Sequence, residues 1–516
     1  MVGEQFDLNG VTPGIDRGEF LSADILKAME AGLQTGMQYA NTLNNGGGLK
    51  VESLDGVIKV LEYTEKQLVL WKNIGKKKIY NTVHQYNQLV KYGNNIGIAN
   101  LEGETPQFTD SQYRRKPIIT KFLGVSGQVT HPATLVRIAA EGDSMYELEV
   151  RNKTLLLLQS LNIALSNFDS SCIDEEFSGI WQQHVEGILD IYGGMSGKTS
   201  EAILDTYYAD PAVVNADGNI LSDFDLQEAT NTIVNLRYGF ADKIIANPIV
   251  FTDYVNAHTA NKVLNVNGVS GSMMNARAGL QVTSVATQFG DIDFMADPFF
   301  DSKPARLATS PATNDKAPAA PVKDGTDAVV VVENDTKTKF TNHAGAYLYA
   351  VAAKNRYGES ALTKLNDASQ AVLATNSVDL KFTAAVDSVY PTQAFVIYRS
   401  EDVTDKNAAT ANYYPIFQIP VSQLASGYDG ADAGKVRDRN RSIAGTHSAL
   451  VFKMDDSLIQ YLQLADTMKM EYAITSPSRR FSILNYGTPV LYAPGKFVRI
   501  CNIGHKADVK RNDLVF

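Results

Sequence analysis

Apolar residues recur at every fourth position near the start of the chain, which predicts an amphipathic helix. This stripe lies in a Gly- and Asn-rich segment, residues 1–56, and consists of Ile25, Met29, Leu33 and Met37. The run Asn44–Gly48 ends the pattern. A single amphipathic helix leaves its apolar stripe uncovered. The segment must therefore dock either on its own domain or on a neighbouring molecule.

A second helical pattern spans residues 144–166 and contains few residues that break helices. It opens with Ser144 and Glu147, which have the spacing of a capping box. At about 1.5 Å per residue such a helix is about 33 Å long, enough to brace a domain. We expect one face to carry four leucines: Leu148, Leu155, Leu158 and Leu165.

Further elements follow in the same part of the chain. Ser222 and Asp225 predict the start of a helix that continues over residues 226–238. Residues 242–255 indicate a short strand followed by a turn at Asn247-Pro248. Residues 289–300 indicate another strand that ends in a Pro turn.

Two stretches rich in β-branched and aromatic residues, 76–92 and 114–130, predict strands. About twenty polar, Gly-containing residues separate them, and a connection of that length usually has a function. The pattern predicts a long two-stranded arm with an irregular tip. A two-stranded hairpin has too little core to be stable alone, so it must lie on something, and another subunit is one candidate.

The composition changes at residue 309, where a Pro-, Ala- and Thr-rich linker begins. Short alternating strands with regularly spaced turn residues follow and continue to residue 441, which is typical of a small β-sandwich. The segment contains no cysteine. The long β and loop patterns then resume, so a discrete domain interrupts a host domain.

The chain of 516 residues has a net charge of −10, which argues against a surface coated with nucleic acid. Its two cysteines, Cys172 and Cys501, are far apart and form no CxxC motif, so neither a disulfide framework nor a cysteine-based zinc site is expected. No secretory signal pattern and no apolar run long enough to span a bilayer are visible. We therefore expect a soluble protein made in a cytoplasm.

The sequence GGMSGKTS at residues 193–200 ends like a phosphate-binding loop. Tyr192 stands where that loop requires its first glycine, so we interpret the stretch as a surface turn. None of the seven histidines has metal-ligand spacing. We predict no catalytic, cofactor-binding or metal-binding residues, and hence no enzyme.

Two basic runs, Lys76-Lys77-Lys78 and Arg114-Arg115-Lys116, lie at the base and on the return strand of the predicted arm. They could contact nucleic acid or an acidic neighbour, and the negative net charge favours the neighbour. The predicted contacts between subunits are these two basic runs together with Ile25, Met29 and Leu33 of the N-terminal stripe.

The order of these elements resembles that of the major capsid proteins of tailed bacteriophages with the HK97-type fold. The resemblance is closest to large myophages that infect Gram-positive hosts. The segment YTEKQLVLWKNIGKKKIYNTVHQYNQLVKYGN is similar to the lead into the extended loop of these proteins. The closing segment resembles their C-terminal strand in the following residues: Tyr486, Gly487, Ala493, Pro494 and Lys496.

The resemblance implies an α+β, HK97-like capsid fold with an inserted β-sandwich. It implies the following parts: an N-terminal arm (1–56), an extended β-hairpin loop with its lead-in (57–130), a peripheral domain (131–220 plus 471–516) with a spine helix (144–166), an axial domain (221–308 plus 442–470) and an inserted immunoglobulin-like β-sandwich (309–441).

The resemblance further implies a shell protein without cofactors that assembles, in the cytoplasm of a bacterial host, into hexamers and pentamers of an icosahedral virion head. Its partners would be copies of itself, a scaffold, a portal and decoration proteins, with packaged double-stranded DNA held without sequence-specific binding and no membrane contact. Two alternatives stay open. The chain could be a tail, baseplate or adhesin protein whose sandwich binds carbohydrate, or an ATPase that uses residues 193–200.

Overall fold

The computed structural model describes residues 63–93, 98–135, 144–258, 282–325, 327–387, 389–404, 411–474 and 476–505. The chain divides into two compact units, one of residues 1–61 with 134–145 and the other of residues 62–133 with 146–516. The second unit contains nearly all of the described residues. The predicted N-terminal stripe, which includes Ile25, Met29 and Leu33, lies outside them.

The described helices are α1 (Val69–Asn73), α2 (His131–Leu135), α3 (Met145–Asn167), α4 (Ile180–Ile191), α5 (Ser200–Tyr208), α6 (Asp223–Asn231), α7 (Pro248–His258) and α8 (Val421–Ser426). The host strands are β1 (Gly75–Lys78), β2 (Val83–Lys91), β3 (Gln112–Ile119), β4 (Lys121–Thr130), β5 (Val213–Asn215), β6 (Lys243–Ala246), β7 (Ser284–Thr287) and β8 (Gly290–Ala296).

The strands of the inserted segment are β9 (Val322–Lys323), β10 (Val329–Val332), β11 (Gly345–Tyr347), β12 (Tyr349–Asn355), β13 (Gly358–Glu359), β14 (Thr363–Lys364), β15 (Gln370–Val372), β16 (Ser377–Thr383), β17 (Ala394–Ser400), β18 (Tyr413–Pro420) and β19 (Lys435–Asp438). The host resumes with β20 (His447–Phe452), β21 (Ile459–Glu471), β22 (Ser478–Leu491) and β23 (Val498–Ile503). The fold is of the predicted α+β class.

Helix α3 confirms the helix predicted over residues 144–166 to within one residue. The most deeply buried leucines of this helix are Leu157, Leu161 and Leu165. They are spaced at i, i+4 and i+8 and pack into the host core. Of the four leucines predicted to share a face, Leu165 is buried and the other three are partly buried: Leu148, Leu155 and Leu158. The most buried face is thus displaced around the helix from the predicted stripe and shares Leu165 with it.

A four-stranded sheet in the order β1-β21-β22-β4 lies under α3. Each of the two strands predicted for the arm is in fact two strands, because only the far half of each belongs to the arm. On the outgoing side, β1 pairs with β21 and the buried Ile79 ends it before β2 begins. On the return side, β3 gives way to β4 at the buried Thr120, whose N–H donates to the carbonyl of Thr82 at 2.8 Å.

A six-stranded sheet in the order β5-β23-β20-β6-β8-β7 forms the second host layer. Helix α6 begins with the predicted capping box, in which Ser222 and Asp225 exchange hydrogen bonds. The turn predicted at Asn247-Pro248 opens into an unpredicted helix, because Pro248 is the first residue of the eleven-residue α7. Proline suits the first helical position, where its missing N–H costs nothing. The strand predicted near residue 290 is confirmed as β8.

The predicted boundary between peripheral and axial domains cuts across both host sheets. Strands β5 and β23, from the predicted peripheral segments, pair in one sheet with the axial strands β20, β6 and β8. Strand β21, which was placed in the axial segment, pairs with β22 and β1 in the other sheet. If the host is divided by its sheets, residues 459–470 belong to the layer that contains α3. Residues 213–215 and 498–503 belong to the layer of the six-stranded sheet.

The inserted segment contains two main antiparallel sheets, β13-β12-β17-β18 with β14, and β10-β16-β19 with β9. Both contribute to one apolar core, which includes Tyr349, Phe395 and Ile397 from the first sheet and Val378 and Phe382 from the second. This arrangement agrees with the predicted sandwich. Its kinship to immunoglobulin-like domains stays a prediction.

A network of charges fastens the inserted segment to helix α5. Arg439 contacts Glu201 of α5 at 2.9 Å and the buried Asp429 at 2.8 Å, and Arg441 contacts Asp205 at 2.6 Å. Lys337 reaches Glu201 at 2.8 Å. The inserted segment is thus held to the host by ion pairs as well as by its two chain connections.

Acidification should weaken this attachment. The pKa of Glu201 is lowered, chiefly by the hydrogen bond from Lys337 and further by Arg439. A lowered folded-state pKa means that the stabilisation is complete above the ordinary value of 4.5 and is lost as the pH falls through the lowered value. We expect Glu201→Gln to flatten the pH dependence of thermal unfolding below pH 4.5, measured by calorimetry. If the unfolding temperature of Glu201→Gln and of the unmodified protein fell equally steeply with pH, this prediction would be wrong.

Candidate assembly surface

Strands β2 and β3 form the predicted two-stranded arm and pair from Val83 with Ile119 to Lys91 with Gln112. Burial alternates along both strands, as expected when one face of a hairpin lies on the protein body. The face toward the body carries these side chains: His84, Tyr86, Gln88, Arg114, Lys116 and Ile118. The base of the arm is thus supported by its own chain.

Helix α4 and the end of β22 supply that support. Arg114 Nη1 lies 3.4 Å from Asp190 Oδ2, and Lys116 pairs with the same carboxylate. Gln88 Nε2 donates to the carbonyl of Tyr492 at 2.6 Å. The ring of Tyr86 meets the ring of Tyr492 edge-on at 5.1 Å, and burial raises the pKa of Tyr86 to about 12. Its hydroxyl therefore stays neutral near pH 7.

The tip of the arm is uncovered. The side chains of Ile98, Leu101 and Phe108 are 92%, 79% and 93% exposed. A turn orders part of the tip, since the Glu104 N–H donates to the Leu101 carbonyl at 3.0 Å and Glu104 Oε2 accepts from the Leu101 N–H at 2.9 Å. Large apolar side chains exposed on and beside an ordered turn are typical of an interaction surface.

The structure separates the basic residues that were predicted to reach a neighbour. Arg114 and Lys116 pair with Asp190 of their own chain. Their contact with another subunit stays a prediction. Arg115 faces outward, and its Nε donates to Asn87 Oδ1 at 3.2 Å. Lys76, Lys77 and Lys78 are exposed. Lys76 Nζ lies 4.3 Å from the Trp71 ring, and partial desolvation of the ammonium group lowers the pKa of Lys76.

Sequence reasoning did not identify Asp190 and Tyr492 as anchors of the arm. Asp190 is 74 residues from Lys116, and Tyr492 is 404 residues from Gln88. No local pattern connects residues that far apart. The one signal was the spacing of Arg114 and Lys116, which places two cations on the same face of a strand and so favours an acidic partner for that face.

Removing the carboxylate of Asp190 should loosen the base of the arm without unfolding the protein. Asp190→Asn keeps the shape but leaves Arg114 and Lys116 without their anion. Part-exposed ion pairs contribute about 0.2–1 kcal/mol each, so the midpoint of global unfolding should hardly move. Amide hydrogen exchange should rise in residues 84–88 and 114–118. Unchanged exchange there would show that aromatic packing alone holds the arm.

The loop at 193–200 connects two helices. It follows α4, whereas a phosphate-binding loop follows a strand. Gly193, Gly194 and Gly197 have positive φ, which serves the turn. Thr199 Oγ1 accepts from the Ala202 N–H at 3.3 Å and caps α5. Lys198 Nζ donates to the Tyr192 carbonyl at 3.0 Å, so its charge is used to close the loop.

Other candidate chemistry was sought in the same described ranges. They contain no group of three His, Cys, Asp or Glu residues that could hold a metal ion. None of their helices combines the length and the apolar character that a membrane span requires. Cys172 and Cys501 are buried free thiols, and burial raises the pKa of Cys172 to about 12.

The chain is similar in sequence to phage proteins along nearly its whole length. It is 24% identical over 498 residues to the major capsid protein of Staphylococcus phage S25-3, which covers 94% of this chain and 96% of the relative. The same figures hold for the major capsid protein of Staphylococcus phage K. A putative major capsid protein of Enterococcus phage phiEF24C is 21% identical over 474 residues, 90% of this chain and 91% of the relative. No family model matches.

Solved structures with partial overlap include the SrpI encapsulin of Synechococcus elongatus, with a TM-score of 0.40 at 6% identity over 88% of this chain and 95% of that one. A structure of Gordonia phage Cozz overlaps with a TM-score of 0.39 at 10% identity, over 90% of this chain and 95% of that one.

Proposed function

We propose, on the premise that this chain is a homologue of the major capsid proteins of bacteriophages, that its copies assemble into hexamers and pentamers of an icosahedral head that encloses double-stranded DNA. The premise rests on similarity over more than nine-tenths of the chain. It makes the chain a structural, shell-forming component of the virion and not an enzyme. The order of the elements agrees with the HK97-type fold expected from the sequence.

The exposed tip of the arm is the observation that carries the assembly proposal. The base of the arm is held on its own chain by Asp190 and Tyr492, so the arm projects in a defined direction. Ile98, Leu101 and Phe108 at its tip are exposed. Burial of three such side chains on another copy would supply a directed, hydrophobic contact at every interface.

The remaining parts take roles that follow from this proposal. The layer of α3 with the four-stranded sheet would form the peripheral wall, and the six-stranded sheet with α6 and α7 the axial part that meets its copies around each capsomer. The inserted segment would face outward. An acidic chain would let packaged DNA slide past the inner wall without adhering. A scaffold, a portal and decoration proteins would complete the head.

Imaging of the expressed full chain tests the proposal. We expect particles or curved sheets to sediment rapidly and to show closed or open shells by negative-stain electron microscopy. The tail or adhesin alternative predicts separate spikes, and the ATPase alternative predicts discrete monomers that bind nucleotide. If the chain remains monomeric even when co-expressed with its phage's scaffold, the proposal is wrong.

A further inference from the structure

A groove beside the base of the arm collects four cationic side chains. It is lined by Arg114 and Lys116 of β3, by Arg237, by Lys496, and by α4 near Asp190. Asp190 pairs with the two β3 cations, and Asp210 pairs with Arg237 at 2.6 Å. Three of the four cations thus have a carboxylate partner in their own chain, and Lys496 has no ion pair with any described residue.

Two features of the groove describe the partner that would fit it. Lys496 is a cation that pairs with no described carboxylate, so an acidic group from another molecule would complement it. The groove also has an apolar side, since Ile191 is about half exposed beside Pro494. A fitting partner combines carboxylates with an apolar side chain.

The tip of the arm has this chemistry. Between Lys91 and Arg114 the chain carries Glu102, Glu104 and Asp110 and no lysine or arginine. The turn at residues 101–104 presents Leu101 and Glu102 side by side, and both are exposed. The groove of the same chain contains no tip residue. Acidic tip and basic groove are therefore complementary surfaces, and among the described residues neither Glu102 of the tip nor Lys496 of the groove has an ion pair within one copy.

We infer that the tip of one copy docks in the basic groove of a second copy, with Glu102 near Lys496 and Leu101 against Ile191. This inference rests on the proposed function and names the receiving surface for the arm. Charge complementarity fixes which neighbour contact forms and in which register, while the apolar contact supplies most of the affinity. Phosphates of DNA could also satisfy four cations, but they would leave Ile191 and the acidic tip uncovered.

Cysteine trapping in the full chain tests the contact. Glu102→Cys with Lys496→Cys, oxidised during assembly, should give a non-reducing gel ladder at multiples of 56.3 kDa. Both native cysteines are buried, so background should be low. The matched control, Glu102→Cys with Lys364→Cys, places the second thiol on the exposed edge of the inserted segment and should give no ladder. Particles without a ladder, or a disulfide within one chain, would overturn the inference.

Charge reversal provides a second measurement. Glu102→Lys and Lys496→Glu should each raise the critical concentration for assembly by about tenfold or more, because like charges then face each other at every interface. The double variant should recover most of the loss. Unchanged assembly in both single variants would refute the groove as the receiving site. The same conclusion would follow if Lys496→Glu lost binding to a double-stranded DNA oligonucleotide but assembled as before.

The two proposals can fail separately. If deletion of the tip abolishes assembly but charge reversal and trapping have no effect, the arm acts at another surface and only the groove is wrong. If the unmodified chain forms no particles under any condition, the shell function itself is wrong. Because Lys496 is part-exposed, thermal unfolding of Lys496→Glu should match that of the unmodified chain and confirm that the variant folds.

Discussion

Deleting residues 93–112 should leave a folded protein that no longer assembles. In the described structure the apolar residues of this stretch are exposed, so removing them takes away little of the chain's own packing. On a neighbouring copy, three buried apolar side chains would contribute about 1.5–3 kcal/mol each. Losing about 5 kcal/mol per interface weakens association by more than about a thousandfold. Analytical ultracentrifugation and electron microscopy would measure the assembled fraction, and calorimetry the unfolding.

A matched set of substitutions separates the position of these residues from their apolar character. The tip triple variant is Ile98→Ser, Leu101→Ser and Phe108→Ser. The control triple variant, on the inserted segment, is Leu373→Ser, Val386→Ser and Val389→Ser, and all three of these residues are also exposed. We expect the first to lose assembly and the second to keep it. Normal particles from the tip variant would remove the arm from the assembly mechanism.

Arg439→Ala should destabilise the inserted segment and its attachment by about 3–5 kcal/mol, because it leaves the buried carboxylate of Asp335 without its cation. Arg439 is 4% exposed and bonds to Asp429, to Asp335 and to Glu201 of α5. Asp429 and Asp335 are themselves nearly inaccessible to water. Without the guanidinium Asp335 has no ion pair with a described residue, while Asp429 keeps only Arg441. The unfolding of the inserted segment should therefore separate from that of the host as an earlier transition in calorimetry.

Lys337→Ala is the control, because Lys337 is a solvent-exposed cation that contacts the same surface of α5. The Lys337 side chain is 45% exposed, and such pairs contribute at most about 1 kcal/mol. A single shared transition in both variants would mean that the chain connections, and not the charges, couple the two parts. Equal losses in both variants would show that the burial of Arg439 has no special effect.

The elements with strong local signals were predictable from the sequence. The helix over 144–166 and the capping box at Ser222 depend on residues within one or two turns of each other, so they are visible in the order of the residues. The two strands of the arm and the change of composition at residue 309 are equally local. The need of the arm for cover was predictable, because a lone hairpin has no core. The exposed apolar residues at its tip were not predicted, since the sequence of the tip was read as polar.

The tertiary structure decided everything that depends on residues distant in the chain. It broke the predicted arm strands at Ile79 and Thr120, where the body takes over the pairing, and it joined segments from both predicted host domains in single sheets. It paired Arg114 and Lys116 with Asp190, which is 74 residues from Lys116 in the chain. Sequence determines which segments are helical, extended or apolar, because those preferences are local. Which segments meet, and which surface is left for another copy, depends on packing that only the folded chain defines.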